Sequence, residues 1–310
     1  MPRYSRVAQN QEPRLAKKPE WLRVRYPADE SYEKIREILG THNVHTVCEE
    51  AHCPNVAECW GGGTATFMLM GDTCTRGCRF CIVKTGDPHG QLDDFEPTKI
   101  AETIADLGLK YVVLTSVDRD DLPDGGADHF AATIRAIKQL DSAVITEVLI
   151  PDFRGSTNDI RKVVDAGPEV VAHNIETTEP LTSKVRDPRA TYLQSLRVLR
   201  SIKDLNASVY SKSSVMLGLG ETEEDLIKTM KDLKQARVDI VTLGQYLRPS
   251  KGHIPVSEYV SPSRFDYYRQ IAEDLGFLYV ASGPFVRSSY RAGEFFMKAL
   301  VRKKVISKTN

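Results

Sequence analysis

From residue 64 onward, apolar runs rich in β-formers alternate with stretches whose apolar residues recur at helical spacing. The runs are Thr64–Met70, Tyr111–Thr115, Val144–Ile150, Val170–Asn174, Ser208–Leu217 and Ile240–Gln245. Between most of them lies a helical pattern. One opens at Thr98, aligns Ile100, Ile104 and Leu107 on a face, and ends at Gly108; others cover Ala127–Gln139, Thr157–Asp165, Thr191–Lys203 and Thr222–Gln235. Strand starts recur about every 30–45 residues, the length of one βα unit. Six or so consecutive units predict an α/β fold with a parallel sheet curled into most of a barrel, a partial (β/α)6 TIM-type barrel. A last helix at Arg264–Leu275 and a candidate strand at Phe277–Ala281 follow. An open doubly wound sheet competes, but it would carry a glycine-rich phosphate turn after its first strand. Here the first strand runs into Gly71-Asp72-Thr73-Cys74 instead.

Ahead of the barrel the rhythm is absent. Residues 1–30 are irregular and punctuated by proline, and a short helix is expected at Tyr32–Leu39, capped by Ser31 and ended by Gly40. This divides the chain into an N-terminal extension (1–63), the partial barrel (64–282) and a C-terminal extension (283–310).

Composition changes little. The 310 residues are 41% hydrophobic and 27% charged with no formal net charge, which points to no nucleic-acid or membrane partner. The ends depart from this balance. Arg3, Arg6, Arg14, Lys17, Lys18, Arg23 and Arg25 crowd the start, and Lys298, Arg302, Lys303, Lys304 and Lys308 the finish. They read either as solvated ends or as a docking surface for an acidic partner. No run reaches the ~18–20 apolar residues of a membrane span. No signal-peptide core stands at the N-terminus, and Pro2, Pro13 and Pro19 spoil the amphipathic helix of a transit peptide. The expected location is the cytoplasm, or an organelle matrix in a eukaryote.

The cysteines carry the chemistry. All six lie between residues 48 and 81, as Cys48-x4-Cys53-x5-Cys59 and Cys74-x3-Cys78-x2-Cys81. In a reducing compartment such clusters bind metal or do redox work rather than form disulfides. Zinc wants four ligands, which the second triplet lacks locally; His42, His45 and His52 could complete a zinc set with the first. Buried structural thiols explain one or two cysteines, not six. Electron-transfer clusters are closed by four cysteines, whereas three leave one iron open to a substrate.

The second triplet, on the first βα loop with Phe80 before its last cysteine, resembles that of the radical SAM superfamily. Taken with Cys48-x4-Cys53-x5-Cys59, the run Gly71-Asp-Thr-Cys-Thr-Arg-Gly-Cys-Arg-Phe-Cys81 and Arg287-Ser-Ser-Tyr290, the chain resembles the lipoyl synthase family from about residue 20 to 297. Thr115-Ser-Val-Asp-Arg-Asp-Asp121, His173-Asn-Ile-Glu-Thr177 and Gly244-Gln-Tyr-Leu-Arg-Pro249 add to the likeness.

The resemblance implies two [4Fe-4S] clusters and S-adenosyl-L-methionine (SAM). Cys74, Cys78 and Cys81 would hold the cluster that binds and cleaves SAM. Cys48, Cys53, Cys59 and Ser289 would hold an auxiliary cluster whose sulfur enters C6 and C8 of an octanoyl chain on a carrier-protein lysine. Read from the residues alone, Ser288 and Ser289 are ordinary turn hydroxyls. The implied partners are octanoylated lipoyl carrier domains (the glycine cleavage H protein and 2-oxoacid dehydrogenase E2 subunits), a one-electron reductant protein and an iron–sulfur carrier. Candidate SAM contacts are Phe80, Ser116, Asp118, Asn174, Glu176, Arg189 and Lys212. Asn174 and Glu176 alternate with Ile175 at a strand end, so both point the same way, toward the barrel mouth or into a turn cap. Arg189 or Lys212 would pair the SAM carboxylate, unless each is an ordinary salt-bridge partner. Gly218-Leu-Gly-Glu221 lacks the phosphate-loop lysine pattern and reads as a tight turn. The competing functions are another two-cluster radical SAM enzyme and an iron–sulfur carrier or scaffold.

Overall fold

The computed structural model describes residues 18–23, 30–42, 44–50, 55–61 and 64–289. Ahead of the barrel stand α1 (Glu30–His42), β1 (His45–Thr46), α2 (Val47–Glu50) and α3 (Val56–Gly61). Then β2 (Thr64–Leu69) leads into a two-strand clip, β3 (Thr73–Cys74) and β4 (Lys84–Thr85). The βα alternation continues with α4 (Glu96–Asp106), β5 (Tyr111–Ser116), α5 (Ala127–Leu140), β6 (Ile145–Leu149), α6 (Thr157–Asp165) and β7 (Val170–Ala172). It ends with α7 (Thr182–Val185), α8 (Tyr192–Leu205), β8 (Tyr210–Leu217), α9 (Glu223–Gln235), β9 (Ile240–Gln245), α10 (Pro262–Asp274) and β10 (Tyr279–Gly283).

One sheet orders the strands β1-β2-β5-β6-β7-β8-β9-β10. All pairs from β2 to β10 are parallel, and β1 adds antiparallel to the β2 edge. The six expected strands are present, and the Phe277–Ala281 run supplies a seventh, β10. Among the described residues no hydrogen bonds close β10 onto β2, so the barrel is partial. All six residues of both β2 and β9 are buried. That two-sided burial is why these strands read as continuous apolar runs rather than alternating ones.

Helices cover the outer face through one large core that includes Val112, Leu114, Ile134, Ile160, Val171, Leu199, Val215 and Leu243. Inside the barrel, smaller clusters form, one from Tyr111, Val113 and Val170, another from Ile240, Tyr279, Ala281 and Val286. The helix starts follow local chemistry. Ser156, Thr191, Thr222 and Ser261 each accept a hydrogen bond from a first-turn N–H. Such caps are worth about 1 kcal/mol each. One expectation fails: α1 runs from Glu30 through Gly40 to His42, so Ser31 lies inside the helix and Gly40 does not end it. A single glycine costs only about 1 kcal/mol in a helix, and tertiary contacts override that. Leu39 is in the main core and Ile35 packs against it.

Candidate active site

The second cysteine triplet sits on the loop after β2, at the C-terminal end of the barrel strands, where βα barrels place their sites. Met70 and Gly71 turn the chain out of the strand through left-handed backbone, φ 67° and 86°. The Met70 N–H donates to the Glu96 carboxylate, 2.9 Å from Oε2. The Met70 carbonyl accepts from buried Arg119 at 3.2 Å. The β3–β4 clip pairs Thr73 with Lys84 and Cys74 with Thr85, and closes the loop into a cradle. Inside it the Cys81 N–H donates to the Cys78 carbonyl at 3.1 Å.

Arg76, between the first two cysteines, locks this cradle to the barrel. Its guanidinium forks onto Asp152 (Nη1–Oδ2 2.7 Å, Nη2–Oδ1 2.8 Å) and onto Asp120 (Nε–Oδ2 2.8 Å, Nη2–Oδ1 2.9 Å). Asp118 stands 3.5 Å from Nη1. The backbone is pinned as well: the Thr75 N–H donates to the Asp118 carbonyl, the Arg79 N–H to the Val185 carbonyl, and the Gly77 N–H to Asp187 Oδ2, each at 2.9 Å. The loops after β5, β6 and β7 therefore all hold the cysteine loop. Phe80 packs half-buried with Val185, Leu219 and Tyr246.

The sulfurs are arranged for thiolate. Cys74 Sγ accepts from the N–H groups of Asp118 (3.3 Å) and Arg76 (3.4 Å), and Cys78 Sγ from that of Asp187 (3.3 Å). Cys81 takes a backbone bond from Val83. Burial pushes the Cys74 thiol up to about 12 and Cys78, against the pull of Arg186, to about 11, and raises Cys81 also. A metal centre reverses that preference by binding the thiolates directly. Among the described residues no three His, Cys, Asp or Glu side chains gather around a single ion. A four-iron cluster needs no such point, because each thiolate takes its own iron. Three sulfurs on one cradle, each with a backbone donor, fit such a cluster and leave its fourth iron open.

Around the cradle several buried polar atoms lack a partner. Ser116 Oγ at the end of β5, Asn174 Oδ1 just past β7, and Arg186 Nε are among them. Buried polar atoms are rarely left so, and several together mark a polar ligand's seat. The Asn174 amide bonds Glu176, whose carboxyl burial raises and Arg186 opposes. Glu176 is held in left-handed backbone (φ 67°) by bonding across to β8, from its N–H to the Ser214 carbonyl at 3.0 Å. A non-glycine residue there is costly and clusters at functional sites. Burial brings Asp118 up to about 6 against the pull of Arg76. These groups present donors and acceptors to a polar ligand.

Arg186 and the groups behind it were not legible in the sequence. His173 Nδ1–H donates to the Ile150 carbonyl (2.9 Å), which fixes the tautomer; Nε2 then accepts from Ser195 Oγ (2.9 Å), which accepts from Arg186 Nη1 (2.7 Å). Burial, reinforced by Arg186, lowers His173 to about 4 from 6.5. Between those values the unfolded chain binds a proton that the folded chain refuses, so stability is full above 6.5 and falls as pH drops toward 4. His173→Asn is expected to flatten the pH slope of the urea-unfolding free energy between pH 6 and 5. The change is at most about 1.4 kcal/mol per pH unit, one proton's worth.

Two candidate SAM partners are otherwise engaged. Lys212 does not face the mouth. It stands early in β8, only 3% exposed, and its Nζ meets Glu147 Oε1 at 2.7 Å. Tyr111, the first residue of β5, donates to the same carboxylate at 2.6 Å. This network fills the lower barrel, so the carboxylate expected for Lys212 is Glu147. Arg189 lies at the rim with half its side chain exposed, binding Asp187 (2.8 Å), Asp120 (3.1 Å) and the Thr75 carbonyl (2.7 Å). Gly218–Glu221 is a tight turn, with the Glu221 carboxylate accepting from the N–H groups of Gly218 and Leu219.

For the first triplet, Cys48 is in α2 and Cys59 in α3, both buried; Cys53 and His52 lie outside the described residues. His42 is turned to Asp106, at 2.9 Å. The Asn55 side-chain amide, between these cysteines, donates to the Phe285 carbonyl at 2.7 Å, across 230 positions. The segment 284–289 crosses β9 at Gly244, where a Cβ would stand 2.1 Å from the Val286 carbonyl oxygen. Only glycine permits that crossing. Ser288 and Ser289 follow, half-buried, so the serine run reaches the side of the barrel to which Asn55 is tied. Most of the basic residues at both ends, and Tyr290, lie outside the described residues.

Known proteins are similar to this chain over most of its length. A family model described as the radical SAM superfamily matches residues 68–233, and one described as the N-terminal domain of lipoyl synthase matches residues 3–53. The chain is 58% identical to the lipoyl synthase of Anaeromyxobacter dehalogenans over 93% of its own length and 98% of that protein. It is 56% identical to the one from Myxococcus xanthus, with 93% and 96% covered. It is also 55% identical to the human mitochondrial lipoyl synthase, with 92% and 78% covered. Among solved structures, a maturase of the [FeFe]-hydrogenase, HydG, superposes with a TM-score of 0.54 at 14% identity over 79% of this chain and 65% of that one. Methylornithine synthase gives 0.53 at 15%, over 79% and 70%. At such identities these two speak for the fold alone. No helix among the described residues is long and apolar enough to cross a membrane.

Proposed function

Because this chain belongs to the lipoyl synthase family of radical SAM enzymes, we propose that it inserts two sulfur atoms, at C6 and C8, into an octanoyl group carried on a lysine of a lipoyl carrier domain. The supporting observation is the Asn55–Phe285 bond, which draws the Cys48/Cys59 segment and the Ser289 segment to one side of a barrel whose mouth carries the other triplet. Two cysteine sites on one barrel allow one to be a catalyst and the other a sulfur source.

Cys74, Cys78 and Cys81 would hold a four-iron cluster, which when reduced would supply the electron for cleaving SAM and so the radical chemistry that takes hydrogen from unactivated carbon. Acid–base chemistry has no purchase on an alkyl C–H, which lacks an accessible pKa. The residues of the chain orient and shield. Ser116, Asn174 and Glu176 bind the ribose and amino-acid parts of SAM, and Asp118 and Phe80 border the cradle. Arg186 takes its carboxylate, the part assigned from sequence to Arg189 or Lys212. The barrel walls keep water from a species that would otherwise be quenched.

The sulfur source is the second cluster, which the reaction consumes as a substrate. Cys48, Cys53 and Cys59 hold it with Ser289. A serine oxygen is a harder, protonatable ligand than thiolate, so it leaves as its iron loses sulfide. One SAM is spent per C–H bond, and the donor cluster must be rebuilt for a further turnover. Such chemistry belongs in a reducing compartment, the cytoplasm or an organelle matrix.

One anaerobic experiment decides the matter. The reconstituted, reduced protein is given SAM and an octanoyl-lysine peptide, and the peptide is weighed. Two added sulfurs, two equivalents of 5′-deoxyadenosine and a matching loss of protein-bound sulfide are expected. Product formed while cluster sulfide stays constant would remove the donor role.

A further inference from the structure

A charged surface next to the cysteine cradle has no part in the mechanism above. Arg79 follows Cys78 directly. Its backbone carbonyl accepts from the Ile254 N–H at 3.1 Å, and its guanidinium reaches the Lys184 carbonyl at 3.2 Å. Arg79 thus joins the loop after β9 to α7. That loop, residues 247–256, holds Arg248, Lys251 and His253 and no acidic residue. Arg248 and Arg79 both act electrostatically on the Tyr246 hydroxyl, which places their charges together. Arg79, Lys184 and Lys251 are exposed and Arg248 half-buried. The acids nearby in sequence are already taken: Asp187 by Arg189, Glu179 by Lys228, and Glu258 by Arg264. Four cations on one face therefore stand without a carboxylate among the described residues.

The patch is also wired to the cradle. His253 Nε2–H donates to the Cys81 carbonyl at 2.9 Å. That fixes its tautomer, so Nδ1 accepts from the Ser250 hydroxyl at 2.8 Å. Ser250 is exposed and lies between Arg248 and Lys251 in the chain. One side chain thus separates solvent, in the middle of the cationic face, from the backbone of a cluster ligand. A site that must be reduced one electron at a time needs such a thin wall, and a face that selects its donor.

We propose that Arg79, Lys184, Arg248 and Lys251 form the docking surface for an acidic one-electron carrier protein, which passes its electron to the Cys74/Cys78/Cys81 site past His253. The inference rests on the function proposed above. The balance is simple: the carrier is oxidised by one electron, the site is reduced by one, and no covalent bond or proton is exchanged. Opposite charges raise the encounter rate and fix orientation, and the gain is lost at high salt.

The test compares two reductants on the full, reconstituted protein. Arg248→Glu/Lys251→Glu and the wild type are each driven by reduced flavodoxin, an acidic carrier, and separately by photoreduced deazaflavin, small and uncharged. The readouts are the initial rate of 5′-deoxyadenosine formation and, without SAM, the Kd for oxidised flavodoxin, which at low salt should be weaker in the variant by about tenfold or more. An unchanged Kd would overturn the proposal. With flavodoxin at low salt the variant should be slower by about tenfold or more, and high salt should bring the wild type toward the variant. With deazaflavin the two should match. Loss in both arms would show that the face serves the site or the acyl-carrier domain, and would overturn the proposal. No loss in the flavodoxin arm would overturn it equally. A wild-type chain that cleaves no SAM with either reductant would sink the functional reading itself, and this inference with it.

Discussion

Arg76→Met is expected to destabilise the chain by about 3–5 kcal/mol, and to empty the Cys74–Cys81 cradle with it. Methionine fills much of the volume, so the cost is electrostatic. Arg76 is 3% exposed and Asp152 1%, and each is the other's bidentate partner. Removing the cation leaves Asp152 charged and buried, with Asp120 and Asp118 beside it. Such a change is costly even though the intact buried pair is itself of modest net benefit. Arg76→Lys should recover little, because one ammonium cannot fork onto two carboxylates.

The pH dependence distinguishes this cause from lost packing. Burial works to raise the Asp152 carboxyl, but the Arg76 bonds more than reverse it and hold it at about 2 against an ordinary 3.8. In the wild type this stabilisation is present above 3.8 and is lost as pH falls through about 2. Without Arg76 the balance inverts. Burial is then opposed by the Arg154 N–H and the Gln194 amide but no longer by the guanidinium, so the group rises; the variant suffers most at neutral pH and its deficit narrows as acid neutralises Asp152. Denaturant unfolding at pH 7 and pH 4 reads this directly. A deficit under about 1 kcal/mol, or one independent of pH, would show that Arg76 is not the clamp.

The architecture was open to sequence reading because its period is set by local chemistry. Two-sided burial forces continuous apolar strands, and capped amphipathic helices fill the intervals, so Ile240–Gln245 and Thr157–Asp165 fall where the pattern puts them. The cysteine loop was legible for a similar reason, since its ligands are close neighbours in the chain. What could not be read depends on register and on long-range closure. Lys212 carries the right charge on the right strand, but its early position in β8 puts it in the lower barrel, opposite Glu147. Arg76 meets Asp152 across 76 positions and no spacing foretells that fork. Arg186 sits three residues from Arg189 without periodicity to favour it. Its role shows only once Ser195 and His173 stand behind it. Ser116 and Asn174 stand at strand ends, which a sequence shows, but that each keeps a buried polar atom without a hydrogen-bond partner shows only in the fold.

Cys78→Ala and Ser289→Ala should both abolish the sulfurated product, yet differ completely in what they leave. Without Cys78 the cradle keeps two ligands, and the chemistry that only the cluster can supply is gone. 5′-Deoxyadenosine formation is expected to fall below detection, by more than about 10^6-fold. Ser289 is assigned to the donor cluster and not to that machinery. Its removal should leave SAM cleavage running, with the substrate radical formed and no sulfur to meet it, so cleavage and product become uncoupled. Ser289→Cys separates ligation from lability: a fourth thiolate should retain the donor cluster and slow its sacrifice, lowering product per cleaved SAM. Gly244→Ala reaches the same end without touching a ligand. A Cβ there stands 2.1 Å from the Val286 carbonyl oxygen, so the segment carrying Ser289 must move off β9. Iron and sulfide analysis, with 5′-deoxyadenosine and product counted together, tells these cases apart. Cys78→Ala loses the catalytic cluster, Ser289→Ala and Gly244→Ala lose the donor cluster, and Ser289→Cys keeps both. Full product from Ser289→Cys at the wild-type rate would mean the oxygen ligand does not govern sulfur release. Full product from Ser289→Ala would mean that the donor cluster is not held by this serine at all.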